Sequence, residues 1–185
     1  PKMGDSAKIL YLIYAALTAL QFAVLLLAGM NPYDAAIHAF GTAGTGGFSN
    51  YGASIAAFHS PLIEWIITFF MVLFGINFAL FYRAITGDWR DALRSEELRW
   101  YLGIYGTATI FSTMLLLPRY HGFWEALRYG SFQVASVMST TGYATADFNI
   151  WPVAVKMVLL LVMIVGGCAG STAGGIKVVR TALLF

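Results

Sequence analysis

The sequence is poor in the residues on which soluble proteins and most enzymes depend. Charged residues fill only 11% of its 185 positions, against roughly 25% in a typical soluble domain. A single cysteine, Cys168, excludes an internal disulfide and any cysteine-rich metal site. The three histidines, His38, His59 and His121, are too dispersed to form a metal site by spacing. A formal net charge of +2 is too small to argue for a nucleic-acid partner. No set of side chains supports covalent or hydrolytic chemistry, so neither an enzyme nor a bound cofactor is expected. What the chain has instead is hydrophobic residues, 59% of the total, gathered into long runs.

Four segments are long enough for a bilayer's hydrocarbon core, which takes about 20 apolar residues. They run over about 7–28, 62–82 and 98–117, with a fourth starting near Trp151. The only strongly charged stretch holds Arg83, Asp88, Arg90, Asp91, Arg94, Glu96, Glu97 and Arg99. Lys2, Lys8, Arg83, Arg90, Arg94, Arg99, Lys177 and Arg180 fall on one side of the predicted spans, and Arg119, Arg128 and Lys156 on the other. That bias puts the charged loop in the cytoplasm and the two Gly-rich inter-span segments, 29–61 and 118–152, outside. Asp34, Glu64, Glu125 and Asp147 add a mild cation-attracting tilt to the outer side. The chain opens on Pro1 and stops at Phe185 inside an apolar run, so a longer parent chain is expected.

The two outer segments repeat each other. Thr45-Gly46-Gly47-Phe48-Ser49-Asn50 aligns with Thr140-Thr141-Gly142-Tyr143-Ala144-Thr145, 95 positions later and without a gap. Each copy follows a span and a short amphipathic stretch containing an acid (Asp34, Glu125), and precedes a span started by proline (Pro61, Pro152). Direct repeats with both loops on one face imply an axis along the membrane normal. A non-helical backbone at membrane depth survives only when buried in protein or lining a watery cavity. One use for its bare carbonyls is to replace the hydration shell of a cation. Gly47 and Gly142 permit the left-handed backbone that turns carbonyls toward an axis. Thr45 and Thr140 offer hydroxyls at the inner mouth, and Phe48 and Tyr143 are expected to wedge the loops against surrounding helices. The half-helices before them would aim negative C-terminal ends at the ion. The competing reading is a pair of ordinary external turns, which a second copy in the same context disfavours.

These motifs resemble a known family. The loops at 45–49 and 140–148 look like two of the four filter loops of the Trk/Ktr/HKT potassium transporters. Gly166–Lys177 is similar to that family's third-repeat signature, and Phe123–Tyr129 fits the pore helix of the same repeat, with the TrkH branch the nearest likeness. The resemblance covers essentially the whole chain, as repeats two and three of four. It implies an all-α integral membrane fold of tandem M1–pore helix–filter loop–M2 repeats, potassium-channel-like, with two repeats present of an expected four. One repeat would occupy 1–94 (M1 7–28, pore helix 33–43, filter 44–50, M2 62–82, cytoplasmic loop 83–97). The other would occupy 95–185 (M1 98–117, pore helix 123–138, filter 139–147, broken M2 151–185). It further implies that K⁺ passes along the backbone carbonyls of Thr45, Gly46, Gly47, Phe48, Thr140, Thr141, Gly142 and Tyr143, with one filter glycine per repeat. The implied setting is the cytoplasmic (inner) membrane. The implied partners are the remaining repeats of the parent chain, a second copy, and a cytoplasmic nucleotide-binding regulatory subunit (TrkA-like). Asn50, where the family's loop usually carries Thr, and the extra Gly44 depart from that loop, and both are expected to loosen selectivity toward Na⁺ at that site.

The last span carries its own argument. Residues 151–185 would extend about 52 Å as one helix, too long for a hydrocarbon core of about 30 Å. Five glycines among the ten residues from Gly166 to Gly175 (Gly166, Gly167, Cys168, Ala169, Gly170, Ser171, Thr172, Ala173, Gly174, Gly175) do not hold a stable helix. A discontinuous helix with an intramembrane loop is therefore expected, followed by a cytoplasmic half-helix bearing Lys177 and Arg180. By resemblance, that loop is the gate. The same glycines also fit small-xxx-small helix packing. A phosphate-binding loop is rejected because the Gly-Lys-Ser/Thr ending is missing. Among single residues, Asp147 is a candidate acid for the outer mouth, Glu64 reads as solvated near the outer interface, and Asn77 and Gln21 as interhelical hydrogen-bonders. His38 reads as packed. The sequence thus points to K⁺ transport through a gated filter. The alternative is a coupled secondary transporter of a small solute or other cation, with its site at the broken helix. A non-transporting assembly protein held by Gly-rich packing is a third reading.

Overall fold

The computed structural model describes residues 3–87 and 89–183, with side chains from Ala7 onward. Lys2 and Asp88, counted among the charges above, lie outside the described residues, as do the last two residues of the predicted broken span. Among the described residues every regular element is helical. They are α1 (Met3–Leu27), α2 (Pro32–Ala43), α3 (Pro61–Phe74), α4 (Phe78–Ile85), α5 (Trp89–Leu93), α6 (Glu96–Leu116), α7 (Phe123–Met138), α8 (Val153–Val165) and α9 (Val178–Ala182). Two helical segments, Ala7–Leu27 and Glu96–Arg119, are long and apolar enough to cross a membrane, and α3 with α4 makes a third if that bent pair counts as one span.

Helix starts follow local chemistry. Asn31 and Ser60 each accept a backbone N–H from the first turn with the side chain, and Pro32 and Pro61 follow at the first helical position, where no N–H is needed. Inside the molecule, the shorter α2 and α7 sit among the longer helices, α2 against α1 and α3, and α7 against α3, α6 and α8. Phe132 of α7 and Tyr143 just beyond it are fully buried with Ile63, Ile67 and Met71 of α3, which welds the two halves of the chain together.

Two expectations need correction. The segment 62–82 is not one straight span: α3 and α4 meet at 91°. Asn77 breaks the run, because its side-chain oxygen accepts the Ala79 N–H at 2.9 Å and starts a new helix as its cap. Tyr101 of α6 fills the corner, donating its hydroxyl to the Val72 carbonyl that the bend frees, at 3.1 Å. Glu64 is not solvated either. It is buried, and its Oε2 lies 2.8 Å from Arg128 Nε of α7. The N–H does not point at the oxygen, so the contact is an ion pair rather than an aligned hydrogen bond.

Candidate functional site

The two loops share one backbone. After α2, Gly44 N–H donates to the Phe40 carbonyl, Thr45 to Thr42, and both Gly46 and Gly47 to Gly41, at 2.9, 3.1, 2.8 and 3.2 Å. After α7, Ser139 donates to Ala135, Thr140 to Val137, and both Thr141 and Gly142 to Ser136, at 2.9, 3.1, 2.9 and 3.2 Å. Each bond of the second set is a bond of the first moved by 95 residues. The φ angles repeat as well: +49° and +63° at Thr45 and Gly47, +57° and +87° at Thr140 and Gly142. Left-handed residues at every second position can turn the intervening carbonyls to one side of a strand, where carbonyls can replace a cation's hydration shell. The sequence pointed to the glycines alone. A β-branched residue in the left-handed region costs about 1–3 kcal/mol and persists only when its surroundings enforce it.

The loops touch. A Cβ on Gly47 would run into the Thr141 carbonyl, so only glycine lets the first loop lie against the second. Tyr143 reaches back across the junction and places its hydroxyl 3.3 Å from the carbonyls of both His38 and Phe48. Its own carbonyl accepts the Ser136 hydroxyl at 2.6 Å. Tyr143 therefore wedges as expected, but Phe48 does not: it is 76% exposed, with no helix among the described residues packed over it. At the opposite end of the pair, nothing lies within 4 Å of where a Cβ on Gly142 would stand. At this junction the first loop meets the second through Gly47, and the second meets the first through the Tyr143 ring. The described residues contain one such junction, with Phe48 and Gly142 at its open ends.

Outside the glycines, the two copies differ. Asp34 is 2% exposed and accepts hydrogen bonds from Asn50 and Tyr51, at 2.5 and 2.9 Å. Asn50 is thus turned to the pore helix side rather than toward the loop's carbonyls. His38 is packed: its Nδ1–H donates to the Asp34 carbonyl at 2.7 Å, and Nε2 lies 3.0 Å from the Ser49 hydroxyl. Glu125 is no counterpart of Asp34, since it accepts the His121 backbone N–H at the foot of α7. Asp147 is exposed and caps the short turn Phe148–Ile150 through the Asn149 N–H at 2.9 Å.

Beneath the loops, α8 ends at Val165 and the chain makes a closed lasso before α9. Its neck is tied by Ile176 N–H to the Ile164 carbonyl, Lys177 N–H to Val165 and Val178 N–H to Gly167, at 3.0, 2.9 and 3.0 Å. Gly166 and Gly175, both at positive φ, pass so closely that a Cβ on either would strike the other's backbone. No helix forms between them, so the small-xxx-small packing motif does not apply here. The lasso is held on two levels. Above, Thr45 Oγ1 donates to the Thr172 carbonyl at 3.0 Å and Gly174 N–H donates to Thr140 Oγ1 at 2.7 Å, so a threonine of each loop holds it. Below, Cys168 N–H donates to the Gly75 carbonyl at 2.9 Å, and Ala169 N–H to Glu97 Oε1 at 2.5 Å. The sequence missed Gly75, Phe78 and Glu97 as partners of this segment, Phe78 donating its N–H to the Gly170 carbonyl at 3.1 Å. Lys177, expected on the cytoplasmic half-helix, turns its ammonium back onto the Ala173 carbonyl inside the lasso.

Comparison with known proteins gives one answer. The TrkH family, described as cation transport proteins, matches residues 1–121 and 123–185. The chain is 37% identical over 194 residues to the Trk system potassium uptake protein TrkH of Escherichia coli K12, covering all of this chain and 39% of that protein. It is 33% identical over 187 residues to the Trk system potassium uptake protein TrkG of the same strain, with the same coverage. The crystal structure of the potassium transporter TrkH from Vibrio parahaemolyticus superposes on all of this chain and 40% of that one, with a TM-score of 0.94 at 35% identity. The chain therefore spans about two fifths of the length of the proteins it matches.

Proposed function

The chain belongs to the TrkH family of cation transport proteins, and on that premise we propose that it supplies two of four walls of a K⁺-conducting pore in the cytoplasmic membrane. The carbonyls of Thr45–Gly47 and Thr140–Gly142 coordinate the dehydrated ion, those expected of Phe48 and Tyr143 being turned to protein hydroxyls instead, and the lasso Gly166–Gly175 beneath them is the gate. Both loops face outward, as the positive-inside bias of the flanking lysines and arginines requires. The remaining walls come from the parent chain, docking on the open ends at Phe48 and Gly142. A second copy of the parent and a cytoplasmic nucleotide-binding subunit of the TrkA type complete the assembly in the lipid bilayer. Potassium is the cargo named for the relatives.

One observation carries this reading: two loops 95 residues apart have the same hydrogen bonds and the same left-handed φ angles, and meet backbone to backbone at Gly47 and Thr141. External turns have no reason to match at that level. The test is uptake of K⁺, Rb⁺ and Na⁺ by cells carrying the full-length protein with Gly47→Ser or Gly142→Ser. The pore reading expects both variants to lose preference for K⁺ over Na⁺. Unchanged preference in both, combined with loss of transport on substitution within Gly166–Gly175, identifies a secondary transporter with its site at the broken helix.

A further inference from the structure

The strand that leaves the first loop is gripped in a way that its copy is not. Asp34 and His38 lie one turn apart on the same face of α2. Between them they hold three consecutive residues after the loop. Asp34 Oδ1 accepts from Asn50 Nδ2 at 2.5 Å, and Oδ2 accepts from the Tyr51 hydroxyl at 2.9 Å. Oδ2 also accepts from Asn31 Nδ2 at 2.6 Å, and Asn31 in turn caps the helix through the Asp34 N–H. The carbonyl of Asp34 fixes the His38 ring by accepting from Nδ1–H, which leaves Nε2 to receive the Ser49 hydroxyl. Ser49 Oγ accepts the Tyr51 N–H at 3.2 Å, which closes the ring of contacts.

A carboxylate suits this set, because three side-chain donors converge on its two oxygens. Charge-assisted bonds of this kind are shorter and stronger than neutral ones. The corresponding positions 95 residues later are Tyr129 for Asp34, Gln133 for His38 and Thr145 for Asn50. There the Gln133 Oε1 and Thr145 Oγ1 atoms are buried without a partner. The second copy is held differently, by Ser136 on the Tyr143 carbonyl and by Ser54 and Ala56 on the backbone of Ala144. The first loop, lacking a wedged aromatic within this chain, depends on the brace.

We propose that Asp34 is the positioning residue for ion selectivity in the first loop: it does not touch the ion, but it fixes the outer end of the carbonyl strand through Asn50 and Tyr51. Selectivity needs carbonyls that do not close around a smaller cation. A strand free at its outer end can follow Na⁺ inward. The proposal rests on the filter reading above.

The test uses the full-length protein in cells depleted of K⁺, with K⁺, Rb⁺ and Na⁺ fluxes normalised to the amount of protein in the membrane. Asp34→Asn, which converts an acceptor pair into one acceptor and one donor, is expected to lower the K⁺ over Na⁺ flux ratio about tenfold, equal to about 1.4 kcal/mol. Asn50→Thr and Tyr51→Phe, which leave the buried acid in place, each lower it by a smaller factor and carry the test if Asp34→Asn does not reach the membrane. A purely structural acid would change protein amount and leave the ratio alone. Unaltered ratios in Asn50→Thr and Tyr51→Phe overturn the assignment. Gly47→Ser, measured beside them, separates the two ideas. A ratio that moves for Gly47→Ser and not for the brace variants sinks only the brace. A ratio that moves for neither sinks the filter as well.

Discussion

Replacing Thr140 and Thr45 by valine removes two hydroxyls and changes almost nothing else. Valine has the same shape and the same branching at Cβ, so the left-handed backbone strain at positions 45 and 140 is unaltered. What goes is the bond from Gly174 N–H to Thr140 Oγ1, at 2.7 Å, and the bond from Thr45 Oγ1 to the Thr172 carbonyl, at 3.0 Å. Gly174 is exposed, so its freed N–H can find water and the penalty for an unpaired buried donor does not apply. The relevant figure is the net worth of an ordinary hydrogen bond, about 1 kcal/mol each. If both are made only when the lasso blocks the path, losing the pair shifts the closed-to-open equilibrium by about 2 kcal/mol, roughly 30-fold. The readout is K⁺ or Rb⁺ leak through the full-length protein under conditions that keep the parent closed. Each single variant should raise the leak by about fivefold, the double variant by the product, and serine at either position should restore the parent's behaviour. A double valine variant that is present in the membrane and leaks no more than the parent refutes the idea that the threonines hold the lasso shut.

Other consequences follow from packing. Glu64→Gln or Arg128→Met alone strands a buried charge or its polar remnant and should cost about 3–5 kcal/mol, read as thermal unfolding of the detergent-purified protein, whereas Glu64→Leu with Arg128→Met should recover most of the loss. Gly41→Ala places a Cβ where the Tyr143 hydroxyl stands, so it should destabilise by about 1–3 kcal/mol; adding Tyr143→Phe should relieve it, and a double-mutant cycle with no coupling would show that the ring is not seated on α2. Glu97→Gln weakens the acceptor of the Ala169 N–H. It should speed amide hydrogen exchange in the lasso while leaving exchange in α1 unchanged.

The fold class was legible because the physics that sets it is compositional. Apolar runs with few charges leave little besides membrane helices, and the 95-residue repeat is visible in the loop residues themselves. The left-handed threonines were not legible, since a β-branched residue gives no local signal for that conformation. Only the strand's contacts on both sides enforce it. The bend at Gly75–Asn77 was hidden for a related reason. An asparagine in an apolar run reads equally well as a buried hydrogen-bonder, and Asn77 does both, capping α4 and lying 3.3 Å from Glu97. Glu64 and Arg128 are 64 positions apart, and nothing near either one announces the other. The outer acids Asp34 and Glu125 looked equivalent in the repeat. They separate once it is seen that Asp34 lies beside the strand after the loop, whereas Glu125 sits at the foot of its helix.

The central claim is that the carbonyls of Thr45–Gly47 and Thr140–Gly142 hold the transported ion. Crystals of the full-length protein grown in Rb⁺ or Tl⁺ test it directly, because either ion stands in for K⁺ and is located by its anomalous scattering. The account predicts anomalous peaks on the axis between the two loops, at coordination distance from the carbonyls of Gly47 and Gly142. Peaks confined to the lasso Gly166–Gly175, with none between the loops, would contradict it.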